Sequence, residues 1–150
     1  MAAKTISLDW DGFYPESKTD DGYLLNISKH KCSGIYAVYV GSPSKTDSSK
    51  CNIRKLVYIG ESRNVVGERL TEYHENYRCW KRQLQEGEKL YFGIVDIDYT
   101  DRERAEAALI YKLKPTCNDQ GTDSFNYDTT TIVSSGAYDY TPGTFTVYRT

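Results

Sequence analysis

The sequence predicts an α/β domain in which a small, mostly antiparallel sheet is flanked by helices. Two runs, GIYAVYV (34–40) and KLVYIG (55–60), are rich in the β-branched and aromatic residues that favour strands. The polar stretch between them contains glycine, serine and proline, which is typical of the connection in a long hairpin. A third run, KLYFGIVDI (89–97), predicts another strand, with helical patterns before and after it.

The first predicted helix has apolar residues at steps of three and four from Val66 to Leu84, the amphipathic helical period. The second begins with a T-x-x-E capping box, in which Thr100 and Glu103 would satisfy free N–H groups of the first turn. Its body consists of good helix formers, and Pro115 ends it.

We expect one domain over residues 1–150, with a core at about 32–118 and two peripheral extensions, 1–31 and 119–150. The hydrophobic content of 39% and the charged content of 27% are ordinary for a globular protein. Two short strands, TTTIV and TFTVYR, are predicted in the C-terminal extension, where they would pair at a sheet edge.

The expected compartment is the cytoplasm, with no membrane partner. No apolar run approaches the roughly 20 residues of a membrane span, and acidic residues stand where a secretory signal would be apolar. The four cysteines, at positions 32, 51, 79 and 117, form no C-x-x-C pair. They are therefore expected to be reduced thiols rather than zinc ligands.

The net charge of −2 is unusual for a protein that binds nucleic acid. The acidic excess lies in the two ends, however, whereas residues 32–118 carry a net charge of +2. A nucleic-acid surface would therefore have to use the basic middle of the chain.

The tripeptides Gly34-Ile35-Tyr36 and Tyr58-Ile59-Gly60 resemble the signature of the GIY-YIG endonuclease family. This resemblance covers about 34–118. It implies a nuclease that cleaves DNA phosphodiester bonds with one divalent metal ion, Mg²⁺ or Mn²⁺. It also admits a homodimer, because small restriction enzymes of the family act as dimers.

The resemblance implies that Glu106 binds the metal and that Asn118 supports the site. Glu106 lies in the string AEAALIYKLKPTCN, and family members carry their metal-binding glutamate on the helix after the third strand, followed by a proline and an asparagine. A carboxylate that faces a sheet is costly unless it is paired or binds a cation. The alternative for an isolated glutamate is a solvated surface residue.

Arg69 is the candidate that binds the scissile phosphate, because a guanidinium fork suits phosphate oxygens. The family places a His or Tyr one helical turn later. Tyr73 is favoured by its i+4 spacing from Arg69, and His74 is the alternative. Tyr36 and Tyr58 would orient the attacking water, and the sequence does not decide which of them acts as base.

Two features depart from the family pattern. Glu61 follows the second tripeptide, where the family often has a cationic or amide side chain, so Arg63 or Lys55 would have to substitute for it. The segment between the two tyrosines, 37–57, is also longer than usual. Its basic tip would either contact DNA or form a solvated loop.

The sequence thus predicts a metal-dependent DNA endonuclease. The alternatives are a catalytically weak nucleic-acid-binding or interaction module that keeps the fold, and a nuclease that acts on structured RNA. The candidate residues for nucleic-acid binding share a positive charge and lie in the middle of the chain: Lys55, Arg63, Arg69, Arg78, Lys81 and Arg82.

Overall fold

The computed structural model describes residues 2–150 and contains one mixed sheet of six strands that curls into a half-barrel. In chain order the strands are β1 (Lys4–Pro15), β2 (Gly34–Pro43), β3 (Cys51–Ser62), β4 (Lys89–Asp96), β5 (Thr130–Gly136) and β6 (Thr144–Val147). Across the sheet the order is β3-β2-β4-β1-β5-β6. Neighbouring strands are antiparallel, except that β1 and β5 are parallel.

The helical part comprises one π-helical turn (Val65–Arg69), α1 (Tyr77–Arg82) and α2 (Tyr99–Leu113). Helix covers only about 17% of the chain. The predicted α/β class, a small sheet flanked by helices, is therefore wrong, and the fold is mostly β. The hairpin of β2 and β3 and the third predicted strand are confirmed.

The predicted helix from Val66 to Leu84 is wrong because tertiary contacts interrupt it. The N–H of Leu24 donates to the carbonyl of Leu70 at 3.0 Å, and the N–H of Glu72 donates to the carbonyl of Gly22 at 2.9 Å. These bonds pair the segment after the π-helical turn with the N-terminal part of the chain. Of the predicted amphipathic helix, only the short α1 is therefore formed as an α-helix.

The N-terminal segment supplies a strand that the prediction missed. Ile6, Leu8 and Trp10 are buried, while the residues between them are exposed, so β1 has the period-two pattern of a half-buried strand. β1 lies between β4 and β5, inside the sheet. The C-terminal strands pair antiparallel, as predicted, and β6 forms one edge of the sheet.

Alternation along β2 divides the core into two faces. Ile35, Ala37 and Tyr39 point to the face on which α2 packs, whereas Tyr36 and Val38 point to the face that carries the π-helical turn and α1. β3 is the edge strand next to β2. Groups from both faces can therefore meet around this edge.

The start of α2 differs slightly from the prediction. The helix begins at Tyr99 with Asp98 as its N-cap, and no side-chain capping hydrogen bond forms there among residues 2–150. The predicted capping box of Thr100 and Glu103 is thus wrong, because Thr100 already lies within the first turn. The helix ends before Pro115, as predicted, with Lys114 in the left-handed conformation at a φ of 45°.

Two of the four cysteines form a disulfide, Cys79–Cys117, which corrects the prediction of reduced thiols for that pair. Cys32 and Cys51 are free, as expected. Disulfides are uncommon in cytosolic proteins, so the compartment stays a prediction. Within residues 2–150, no helix has both the length and the apolar character that crossing a membrane requires.

Candidate active site

The hairpin places the two signature tyrosines beside each other on one face. The ring centroids of Tyr36 and Tyr58 lie 6.1 Å apart, with their planes 30° from parallel. A Cβ on Gly60 would overlap the Tyr36 ring, and a Cβ on Gly34 would overlap the carbonyl of Val95. Both signature glycines are therefore required by close packing.

His74 joins this pair from the segment before α1. Its Nε2 lies 2.8 Å from the Tyr36 hydroxyl, and its Nδ1 accepts the backbone N–H of Asn76 at 3.0 Å. Because Nδ1 is an acceptor, the neutral ring carries its proton on Nε2 and donates to Tyr36. Burial, with the nearby Arg69 cation, lowers the pKa of His74 to about 4, so the ring is neutral at pH 7.

Tyr73, which the spacing favoured, lies away from this group. Its side chain is 78% exposed and contacts Gly22 on the surface. The i+4 argument fails because residues 70–76 are not helical. His74 takes the position instead, packed against Trp80 with ring centroids 4.4 Å apart.

Arg69 ends the π-helical turn, which Asn64 caps by accepting the Gly67 N–H at 2.9 Å. Its guanidinium lies close enough to Tyr36 and Tyr58 for its charge to act on both hydroxyls. Burial raises the pKa of both tyrosines, and the Arg69 charge opposes this shift. Both phenols are therefore protonated at neutral pH in the free protein.

Glu106 reaches the site from α2, on the other face of the sheet. Its carboxylate is partly buried and has no hydrogen bond or ion pair within residues 2–150. Burial, reinforced by the neighbouring charges of Glu61 and Glu103, raises the pKa of Glu106 to about 7. Such an unsatisfied carboxylate is a suitable ligand for a cation.

A metal at Glu106 would need further ligands from outside the protein. The described chain, 2–150, contains no group of three or more His, Cys, Asp or Glu side chains that could hold an ion. Mg²⁺ commonly binds through one or two carboxylates and keeps several waters and substrate phosphate oxygens. A single glutamate near Arg69, the candidate phosphate-binding residue, is compatible with this mode of binding.

Glu61, the departure from the family pattern, is neutralised by an ion pair with Arg102. Arg102 lies one helical turn before Glu106 on α2, and it also donates to the Ser33 hydroxyl at 2.9 Å. The charge of Glu61 nevertheless raises the pKa of Glu106.

Asn118 pairs with the edge strand as a substitute for another strand. Its Oδ1 accepts the N–H of Ile59 at 2.9 Å, and its Nδ2 donates to the carbonyl of Ile59 at 2.9 Å. The adjacent N–H of Cys117 donates to the carbonyl of Val57 at 2.8 Å. Asn118 thus holds the segment after α2 against the strand that carries Tyr58.

These elements enclose a groove of about 580 Å³ at the edge formed by β3. Tyr58 and Glu106 both line it, whereas the fully buried Tyr36 does not. The complete lining is Tyr58, Glu75, Asn76, Glu106, Ala107, Ile110, Asn118, Asp119, Gln120 and Gly121. Loop residues 119–121 had no signal in the sequence that marked them as part of a site.

Some of the predicted nucleic-acid contacts are engaged elsewhere. Arg63 pairs with Glu68 at 3.0 Å on the surface, and Lys81 pairs with Glu16 at 3.1 Å. Lys55 extends toward Gln83, with 3.5 Å between Nζ and Oε1. None of these three side chains lines the groove within the described residues.

Within the described chain, the two remaining basic candidates, Arg78 and Arg82, are not held in ion pairs as Arg63 and Lys81 are. They are exposed on α1 and line a second groove of about 670 Å³, and neither has an ion-pair partner within residues 2–150. The second groove shares Glu75, Asn76 and Asp119 with the first, so the two grooves are continuous. An extended ligand could therefore contact both.

No family model, no curated protein and no solved structure matches this chain significantly.

Proposed function

We propose that this protein is a divalent-metal-dependent endonuclease that hydrolyses DNA phosphodiester bonds. The observation that carries the proposal is the unpartnered carboxylate of Glu106, which shares one groove with Tyr58, a tyrosine that lies near the Arg69 guanidinium. Phosphodiester hydrolysis requires a positioned water, positive charge on the phosphate and stabilisation of the leaving oxygen. The groove supplies Glu106 and Tyr58, and the nearby Arg69, outside the groove lining, would supply the positive charge.

Each residue has a role in this proposal. Arg69 binds the non-bridging oxygens of the scissile phosphate, and Glu106 holds Mg²⁺ or Mn²⁺. When bound, the metal supplies Lewis-acid stabilisation of the leaving oxygen. Tyr58, which lines the groove, orients the attacking water, while Tyr36 and His74 hold Arg69 and Tyr58 in place from behind. The raised pKa values favour hydroxyls that orient water over a resident phenolate.

Supercoiled plasmid incubated with Mg²⁺, with Mn²⁺ or with EDTA tests the proposal. Nicking or cutting is expected with metal only, and Glu106→Ala should abolish it. Glu103→Ala is the matched control, because Glu103 is an exposed acid on the same helix. Undiminished cleavage by Glu106→Ala would remove Glu106 from the mechanism.

Arg69→Lys provides a second arm. The lysine keeps the charge but loses the bidentate fork, so a loss of about 10²-fold in rate is expected. Cleavage at the parent rate would contradict the phosphate role of Arg69.

The alternative is a catalytically weak module that keeps the fold and binds nucleic acid or another partner. The specific observation in its favour is that Glu75 already occupies the fork of Arg69. DNA binding without metal-dependent cleavage in the plasmid assay would support this alternative.

A further inference from the structure

The guanidinium of Arg69 is paired with a carboxylate in the free protein. Its Nη1 donates to Oε2 of Glu75 at 2.8 Å, and its Nη2 contacts Oε1 of the same carboxylate. The charge of this guanidinium also acts on the nearby hydroxyls of Tyr36 and Tyr58. The end that would receive two phosphate oxygens is therefore already bound to two carboxylate oxygens.

The Glu75 carboxylate lies where it can separate from the Arg69 guanidinium. Its side chain is 63% exposed, whereas that of Arg69 is 33% exposed, and it belongs to the irregular segment between the π-helical turn and α1. Its carboxylate also lines both grooves, at the point where they join. A rotation of this side chain would move it into water and free the fork without disturbing the sheet.

Glu75 does not release the fork by protonation at ordinary pH. The hydrogen bonds from Arg69 are the main cause that lowers the pKa of Glu75 to about 2. A competing anion is needed instead, and a phosphate has the geometry to replace a carboxylate on a guanidinium fork.

We propose that Glu75 occupies the phosphate position of Arg69 in the free protein and that an incoming phosphodiester displaces it. This inference rests on the proposed function, because it takes Arg69 as the phosphate ligand. Glu75 is then a specificity-determining residue. It makes free inorganic phosphate a poor ligand, while a nucleic-acid strand replaces the carboxylate with the help of its other contacts.

The first experiment measures binding of inorganic phosphate to the whole, metal-free chain by calorimetry and by the Nε–H signal of Arg69 in NMR spectra. For Glu75→Gln we expect phosphate to bind about fivefold to tenfold more tightly than to the parent, because an ion pair no longer competes. Glu75→Asp keeps the charge but is too short for both contacts, so it should also bind phosphate more tightly.

Glu72→Gln is the matched control. Glu72 lines the adjoining groove but pairs with Lys18 at 3.3 Å rather than with Arg69. The Glu72→Gln substitution removes the same charge from the same segment. The phosphate affinity of this variant should stay within about twofold of that of the parent. Equal gains in Glu72→Gln and Glu75→Gln, or no gain in Glu75→Gln and Glu75→Asp, would overturn the proposal.

The second experiment separates competition from positioning. If Glu75 competes with substrate, Glu75→Gln lowers KM for DNA and leaves kcat unchanged, because the carboxylate is already displaced in the complex. A lower kcat would show instead that Glu75 positions Arg69, and would overturn the proposal. Tighter phosphate binding without any DNA cleavage would contradict the nuclease but support the role of Glu75.

Discussion

The two histidines of the chain occupy opposite electrostatic environments. His30 places Nδ1 2.6 Å from Asp96 and Nε2 2.7 Å from Asp11, so both ring nitrogens must donate. Burial works against the charged ring, but these hydrogen bonds prevail and raise the pKa of His30. His74 instead has a lowered pKa of about 4, caused by burial and by Arg69.

An NMR titration of the ring protons tests these environments. The His30 signals should titrate above the ordinary value of 6.5, whereas the His74 signals should stay constant down to about pH 5. With only two histidines, Asn substitution of either one assigns the signals. A transition of His74 near pH 6.5 would contradict its burial beside Tyr36 and Arg69.

Glu106 should make the stability of the free protein depend on pH. Its pKa is about 7 in the folded state and 4.5 without burial, so between these values the folded state binds more protons than the unfolded state. The free energy of unfolding therefore falls as the pH rises through this window, by on the order of 3 kcal/mol at most.

Glu106→Gln removes this titration. Urea unfolding should show the variant more stable than the parent at pH 8 and similar to it at pH 4.5. Glu103→Gln, on the same helix, should show only a smaller gain, because it removes one of the charges that raise the pKa of Glu106 but leaves the buried carboxylate in place. Mg²⁺ should stabilise the parent but not Glu106→Gln, because it binds the folded carboxylate. Equal stability of the variant and the parent at pH 8 would argue against a partly buried, unpaired Glu106.

At the scale of elements, the site depends on how Asn118 attaches the segment after α2 to β3. The two hydrogen bonds to Ile59 satisfy both backbone groups of an edge residue. Without them, the edge of β3 would open to solvent beside Tyr58.

Asn118→Ala should therefore lower the free energy of unfolding by about 1 to 3 kcal/mol and speed hydrogen exchange at the Ile59 N–H. Asn118→Asp keeps the acceptor and loses the donor, so it should protect this N–H more than the alanine does. Unchanged exchange in Asn118→Ala would show that another group holds the segment.

At the scale of the whole molecule, the disulfide Cys79–Cys117 links α1 to the same segment. It closes a loop across a sequence separation of 38 residues. The loop-entropy model gives a stabilisation of roughly 4 kcal/mol for such a closure. Cys79→Ser/Cys117→Ser should unfold at lower urea concentration, and added dithiol should shift the parent toward the variant. Cys32→Ser/Cys51→Ser is the control, and it should unfold like the parent.

The net charge of −2 means that DNA contacts must be local. Arg78 and Arg82 line the groove that joins the candidate site, whereas Lys81, on the same helix, is paired with Glu16. Arg78→Glu/Arg82→Glu should weaken DNA binding and reduce the slope of log affinity against log salt by about two. Lys81→Glu should have little effect on that slope. Equal slopes in all three proteins would place any bound DNA elsewhere.

The sequence by itself determined the features that depend on local pattern. Runs of β-branched and aromatic residues and close-packed glycines specify the hairpin that carries Tyr36 and Tyr58, and Pro115 ends α2. The spacing from Glu106 to Asn118 spans the end of this helix, so both residues lie at the same groove. Such features need few contacts from distant residues.

Only the tertiary structure decided which residues complete the site. The pairing of the segment at 22–24 with that at 70–72 ended the first helix, and this turned His74 inward and Tyr73 outward. The parallel pairing of β1 with β5 likewise made the fold mostly β. Both outcomes depend on contacts between residues far apart in the chain, and hydrogen bonds of that kind override helical periodicity because they satisfy the same backbone groups.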